Sequence, residues 1–219
     1  MSARRFIDLS HPITSAIPVF PGDAPVEIVV TDATSSPPAA DRRHMNCSRL
    51  HTSVHTGTHM DAPFHFIHEG ARIDQVALDR CVGPALRINL PPGIHEIDVP
   101  QLAAWDNKIR VAHRVVLNTG WHHRWGQANY FTDHPVITGA AAKYLVDHGV
   151  VLVGVDTPSV DRPPYDAHLT LLGAGLLIVE NLTNLDAIPS DVFELVATPL
   201  RIAGRDGSPV RALAILDQF

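Results

Sequence analysis

Apolar residues fall in short runs along most of the chain, and these runs read as strands at residues 6–9, 26–31, 46–55, 85–90, 111–119, 150–155, 176–179, 193–197 and 210–216. Residues 26–31 are apolar and β-branched, which suits a pleated surface. Residues 150–155 (V-V-L-V-G-V) and 176–179 are apolar without a break, the pattern of strands buried on both faces. Helical signals are fewer. The clearest covers residues 139–148, with Thr138 placed to cap its start and Gly149 to stop it in a left-handed conformation. Asp98 and Gln101 have the spacing of a capping box, which starts a short helix running through Trp105. Residues 76–78 and 171–174 are read as parts of further short helices. Pro91-Pro92-Gly93 and Asp206-Gly207 mark turns, and the polar stretch 33–43 with its Pro37-Pro38 pair is expected to be a surface loop. Many strands, few helices and buried runs late in the chain predict a sheet-rich, layered α/β domain.

A chain of 219 residues suffices for one domain with a real core, and its 45% apolar content is ordinary for a globular protein. The net charge of −6 argues against a nucleic-acid partner. No stretch approaches the roughly 18 apolar residues that a membrane span requires. The start, M-S-A-R-R-F-I-D-L-S, has basic residues with no apolar run behind them, so no secretion signal is read and a cytoplasmic location is expected. Cys47 and Cys81 make no disulfide framework, and both are expected to pack as small apolar groups.

The densest chemistry lies in S-V-H-T-G-T-H-M-D-A-P-F-H-F, residues 53–66. Within it stand His55, His59, Asp61 and His65, four side chains able to bind a divalent metal or move a proton. A helix would face His55 and His59 the same way, but Gly57, the flanking Thr56 and Thr58, and Pro63 oppose helix. The stretch therefore reads as a strand running into a turn, with His59 and Asp61 on one side of extended chain. Imidazole nitrogen and carboxylate oxygen together suit zinc, manganese or iron, whereas the bland reading is a set of polar loop histidines. A second ion needs donors from elsewhere, and His168, in a polar loop, and Glu180, ending an apolar strand, are the best candidates. A carboxylate at Glu180 is costly to bury unpartnered; a metal, a salt bridge or backbone amides would each relieve it. Phe20, bracketed by Pro18, Pro21 and Gly22, sits on a rigid turn, either as a core anchor or as a substrate contact. His122 and His123 are adjacent, so in extended chain they point apart and make an unconvincing chelate; they are read as loop residues lining a pocket.

H-T-G-T-H-M-D-A-P-F-H is similar to the signature of the metal-dependent cyclase family and is closest to its kynurenine formamidase (arylformamidase) branch. The likeness extends through D-L-S-H-P-I, I-P-V-F-P-G-D, G-V-D-T-P-S-V-D and T-P-L-R-I-A-G-R-D-G-S-P-V-R-A. It implies a single domain of swivelling β/β/α type, with helices on an outer face of layered sheet. It also implies two divalent metal ions, with zinc expected and manganese the alternative. His55, His59 and Asp61 would bind the first ion, and Asp61 would bridge to a second shared with His168 and Glu180. His65 would be the catalytic acid/base, although spacing alone leaves it open as a further ligand. Phe20 falls where formamidases usually carry tryptophan, and the R-P-P-Y-D-A loop before His168 looks short for them; both concern the substrate wall.

The implied reaction is hydrolysis of N-formyl-L-kynurenine to L-kynurenine and formate in tryptophan degradation. The alternatives are a hydrolase or cyclase of another cyclic amide or lactone, as in isatin hydrolases, or a metal-binding protein without catalysis. No H-E-x-x-H helix occurs, so zincin-type peptidase chemistry is unsupported. A small-molecule amide is the expected partner, and a homodimer or higher homo-oligomer is implied, with Trp121 and Trp125 read as exposed aromatics suited to an interface.

Overall fold

The computed structural model describes residues 4–34 and 45–216. In chain order its strands are β1 (Arg5–Asp8), β2 (Glu27–Asp32), β3 (Cys47–His51), β4 (His59–Asp61), β5 (Val82–Asn89), β6 (Glu96–Ile97), β7 (Arg114–Asn118), β8 (Val136–Ile137), β9 (Leu152–Val155), β10 (Leu177–Glu180), β11 (Val192–Val196), β12 (Gly207–Pro209) and β13 (Leu213–Leu216). Its α-helices are α1 (Leu78–Cys81), α2 (Val99–Ala103), α3 (Asp106–Ala112), α4 (Gly139–Asp147) and α5 (Asp166–Gly173).

Nine strands form one sheet in the order β1-β13-β11-β5-β7-β9-β10-β4-β12, while β2 pairs with β3 and β6 with β8. The middle of the sheet, β5, β7, β9 and β10, is parallel and follows chain order. Its crossovers run through α2 and α3, then α4, then α5. Crossovers that step the same way with the same hand deliver their helices to one face. Accordingly Leu86, Val115, Leu117, Val153 and Ile178 share a core with Leu102, Ile109, Leu145 and Leu171 from those helices. The intervening residues Ala85, Val116, Leu152, Leu177 and Val179 point to the opposite face and a second core. Both faces are thus buried, as the unbroken apolar runs required.

The sheet must also curl. β12 lies at one edge and β13 seven strand positions away, about 34 Å in a flat sheet. Only residues 210–212 join them, a connection that reaches at most about 14 Å. Curling brings Ile7, Leu9 and Ala214 from one end against Met60 and Val210 from the other, all in the second core. Hydrogen bonds from Leu9 N to Ala212 O and from Val210 N to Thr58 O, each 2.9–3.0 Å, stitch the approach.

Several sequence expectations are corrected. The strand expected at 46–55 ends at His51 and, among the described residues, pairs only with β2, so the His55–Asp61 motif is carried by a turn and then by the short β4. Residues 111–112 belong to α3, whose end at His113 is left-handed (φ 57°), and β7 starts only at Arg114. The helix expected to close at Leu78 instead opens there as α1. Cys81 is buried, but Cys47 is exposed on β3 and does not pack as an apolar group. Trp121 is buried, its indole N–H donating to Tyr130 O, and it is not an exposed interface aromatic. The capping box at Asp98 and Gln101 and the Thr138 cap both form. The loop expected at 33–43 lies for the most part outside the described residues. No helix among the described residues is long and apolar enough to cross a membrane.

Candidate metal centre

β4 is antiparallel to β10, with His59 opposite Glu180 and Asp61 opposite Ile178. Met60 points into the second core, so alternation turns His59 and Asp61 to the helix side together with Glu180. This places Glu180 at the carboxyl end of β10, the end at which open α/β sheets bind ligands, with Asp61 two residues back along the neighbouring β4. α5 brings His168 over them from its first turn, not from a polar loop as the sequence suggested. His55 enters from the turn that precedes β4.

Five donors therefore converge. His55 Nδ1 lies 2.8 Å from Asp61 Oδ1, and His59 Nε2 lies 3.4 Å from both Asp61 Oδ1 and Glu180 Oε2. His168 Nε2 lies 3.5 Å from Glu180 Oε1 and 3.9 Å from Asp61 Oδ2. His55, His59 and Asp61 group tightly enough to share one ion, and Asp61 also groups with His168 and His65. Asp61 is common to both groups. His65 stands in the second one, so geometry alone leaves it able to bind or to act beside a metal.

Each of the three inner imidazoles has its other nitrogen occupied. His59 Nδ1 donates to Gly57 O at 2.9 Å, His168 Nδ1 to Asp161 Oδ1 at 2.5 Å, and His55 Nε2 to Asp206 Oδ2 at 2.6 Å. Such partners set the tautomer and aim the remaining nitrogen, the arrangement that metal-binding histidines require. Sequence reasoning missed Asp161 and Asp206, although both lie in the quoted blocks D-T-P-S-V-D and R-D-G. Asn181, left-handed at φ 57°, ends β10 and donates to the same Gly57 O, while its own carbonyl accepts from Thr58 Oγ1.

The electrostatics fit a cation. Asp61 and Glu180 are 1% and 5% exposed, and Asp61 Oδ2 finds no hydrogen-bond partner among the described residues. Burial opposes their ionisation, but the surrounding imidazoles hold both carboxyls below their usual range. Burial likewise opposes charge on the histidines, yet the carboxylates win: His59 and His168 rise to about 10 and His55 to about 9. In the metal-free protein, protons on these rings supply the positive charge that a metal would bring. The donor set and the unpartnered Asp61 oxygen both fit a divalent ion.

His65 differs. It follows β4 on a short 3-10 turn, its side chain is 30% exposed, and its ring sits 4.1 Å from that of His55. Burial lowers its pKa, so it is neutral at pH 7. His65 and four of the five candidate donors, His55, His59, His168 and Glu180, line a cavity of about 310 Å3 whose wall also includes Phe20, Phe131 and Tyr165. Phe20 is 46% exposed and meets Phe131 edge-on at 5.7 Å, so it is a cavity wall and not a core anchor.

A family model described as Putative cyclase matches residues 7–162. The chain is 36% identical to the kynurenine formamidase of Bacillus thuringiensis (strain Al Hakam) over 219 residues, covering 97% of this chain and 98% of that one. Among solved structures, isatin hydrolase A from Labrenzia aggregata bound to benzyl benzoate matches with a TM-score of 0.84 at 28% identity, covering 98% of this chain and 94% of that one. A structure described as a potential metal-dependent hydrolase with cyclase activity matches with a TM-score of 0.80 at 27% identity, covering 99% and 100%. The matched span, the near full-length identity and the shared fold agree: the chain belongs to the cyclase family.

Proposed function

We propose that the protein is a metal-dependent amidohydrolase that cleaves the formamide C–N bond of N-formyl-L-kynurenine, yielding L-kynurenine and formate. Asp61 carries the reading: a buried carboxylate shared by two groups of imidazoles, with one oxygen unpartnered, under an aromatic-walled cavity. The 36% identity to a kynurenine formamidase over nearly the full length supports the substrate. His55, His59 and Asp61 would hold one ion, and Asp61, His168 and Glu180 a second, with zinc the first choice for this donor set and manganese the alternative.

Bound divalent ions supply a Lewis acid and make water a competent nucleophile near neutral pH. The chain's own residues do the rest. Phe20 and Phe131 hold the aryl ring against the cavity wall and so present the formyl group to the donors. Neutral His65 takes a proton from the attacking water and returns it to the departing aryl amine. The water oxygen joins the formyl carbon, the C–N bond breaks with its electron pair on nitrogen, the free amine leaves, and the formic acid formed releases its remaining proton to solvent as formate.

The likeness to isatin hydrolase A favours one second reading, ring-opening of a cyclic aryl amide by the same groups. Assays of N-formylkynurenine and isatin hydrolysis, before and after chelation and with metal content measured on the same sample, separate the two. Chelator-sensitive formamide turnover with about two metals per chain is expected. Turnover of isatin alone would replace the substrate assignment, and bound metal with neither activity would sink both.

A further inference from the structure

A larger cavity, about 1130 Å3, opens at the carboxyl ends of β5 and β7, with Asn89, Asn118, His123 and Asp186 on its wall. Beside it, His122, His123 and Asp186 bring three ligand atoms together, in a group that shares no residue with the centre described above. Extended chain would point the two adjacent histidines apart. Instead Gly120, at φ 76°, turns the chain into a 3-10 turn over Trp121–Arg124, and the two rings lie 4.1 Å apart, centre to centre. Both reach Asp186 Oδ2, His123 Nε2 at 2.6 Å and His122 Nε2 at 3.5 Å.

We infer that His122, His123 and Asp186 form a separate binding site for a first-row divalent metal of the zinc or cobalt class, with a free coordination position toward the larger cavity. The aim of His122 carries the inference. Its Nδ1 donates to Asp156 Oδ2 at 3.0 Å, and Asp156 is wholly buried and anchored by Thr119 N and Oγ1 at 3.1 and 2.7 Å. That bond sets the tautomer of a ring that is itself 7% exposed and leaves Nε2 free to ligate. Asp186 is aimed as well, because its Oδ1 accepts from Asn118 Nδ2 at 2.9 Å. Two donors on one zinc at about 2.0–2.1 Å in tetrahedral array stand roughly 3.3–3.5 Å apart. The His122–Asp186 pair already has that separation. His123 must withdraw by under an ångström, and its side chain, 67% exposed, is free to do so. Three protein donors leave the fourth position for water or a ligand.

The test titrates the metal-stripped full chain with Co2+ alone, followed by visible absorption and calorimetry, in the unaltered protein and in the His123→Ala and Asp186→Asn variants. Both substituted side chains are exposed, so the variants should fold, and their formamide or isatin turnover reports that the main centre is filled. The expected result is loss of one equivalent of Co2+ per chain, or at least a tenfold weakening of one binding phase, with the main-centre phases unchanged. Equal stoichiometry and affinity in all three proteins would overturn the site. A second measurement uses Asp61→Asn, which cripples the main centre only: one remaining equivalent that His123→Ala abolishes supports the site, and a folded Asp61→Asn protein that binds no Co2+ refutes it.

Discussion

Asp161 never touches the cavity, yet its replacement by asparagine should disable half of the metal centre. Its Oδ2 accepts the amides of Ala167 and His168 at 2.7 and 3.1 Å, at the first turn of α5, and its Oδ1 accepts His168 Nδ1 at 2.5 Å. An asparagine has one acceptor oxygen and cannot serve both sides. If that oxygen keeps the two backbone amides, the new NH2 group faces His168 Nδ1. A donor cannot face a donor, so the ring shifts its proton to Nε2, the nitrogen that would bind metal. Losing such an orienting partner typically weakens metal binding by about 10–100-fold, or about 1.4–2.7 kcal/mol. Without metal, losing a charge-assisted bond and an anion at the start of α5 should also destabilise the fold by roughly 1–3 kcal/mol. Zn2+ competition against a chromophoric chelator measures the first effect, thermal denaturation of the stripped protein measures the second, and imidazole nitrogen NMR reads the tautomer. Unchanged metal affinity in a folded Asp161→Asn protein would show that His168 Nε2 is not a ligand.

His65→Ala should keep its metal and lose turnover by about 10²–10⁴-fold, the range for a positioned acid/base; metal analysis showing depletion would make His65 a ligand instead. Gly207→Ala removes no donor, but its new Cβ would stand 2.8 Å from His55 Cε1 and 2.9 Å from Met60 O. It should lower stability by about 1–3 kcal/mol and displace His55, so an unchanged melting temperature with full metal content would refute the packing argument. The metal-free protein should lose stability on the alkaline side. His59 and His168 are raised from 6.5 to about 10, so their contribution is whole below about pH 6.5 and is lost as pH rises through about 10. Melting temperatures of the chelated protein should fall over that window, whereas the metal-loaded protein, its imidazoles already neutral, should not follow; parallel curves would contradict the charge balance.

The donors were legible in the sequence because their chemistry is a matter of residue type, and the turn into β4 keeps three of them, His55, His59 and Asp61, local. His59 and Asp61 share a face for the reason alternation predicts, and Glu180 follows because an acid ending a buried strand needs a positive partner. What aims the donors was not legible. The acceptor for His59 is the carbonyl of Gly57, and a carbonyl is offered by every residue. The acceptor for His55 is Asp206, brought across 151 positions because β12 pairs with β4 at the edge of a curled sheet. His168 reads as a loop residue because no capping side chain starts α5: Tyr165, left-handed at φ 68°, stands where one belongs, and Asp161 serves the helix from outside. The same holds at His122 and His123, where one glycine with positive φ decides whether two rings diverge or meet. Residue type thus announces that a metal can be held, whereas the tautomer and direction that make holding selective come from local chain geometry at Gly57 and Asp161 and, at Asp206, from long-range strand pairing. Substitutions at Asp161 and Gly207 should therefore disturb the chemistry as surely as substitutions at the donors themselves.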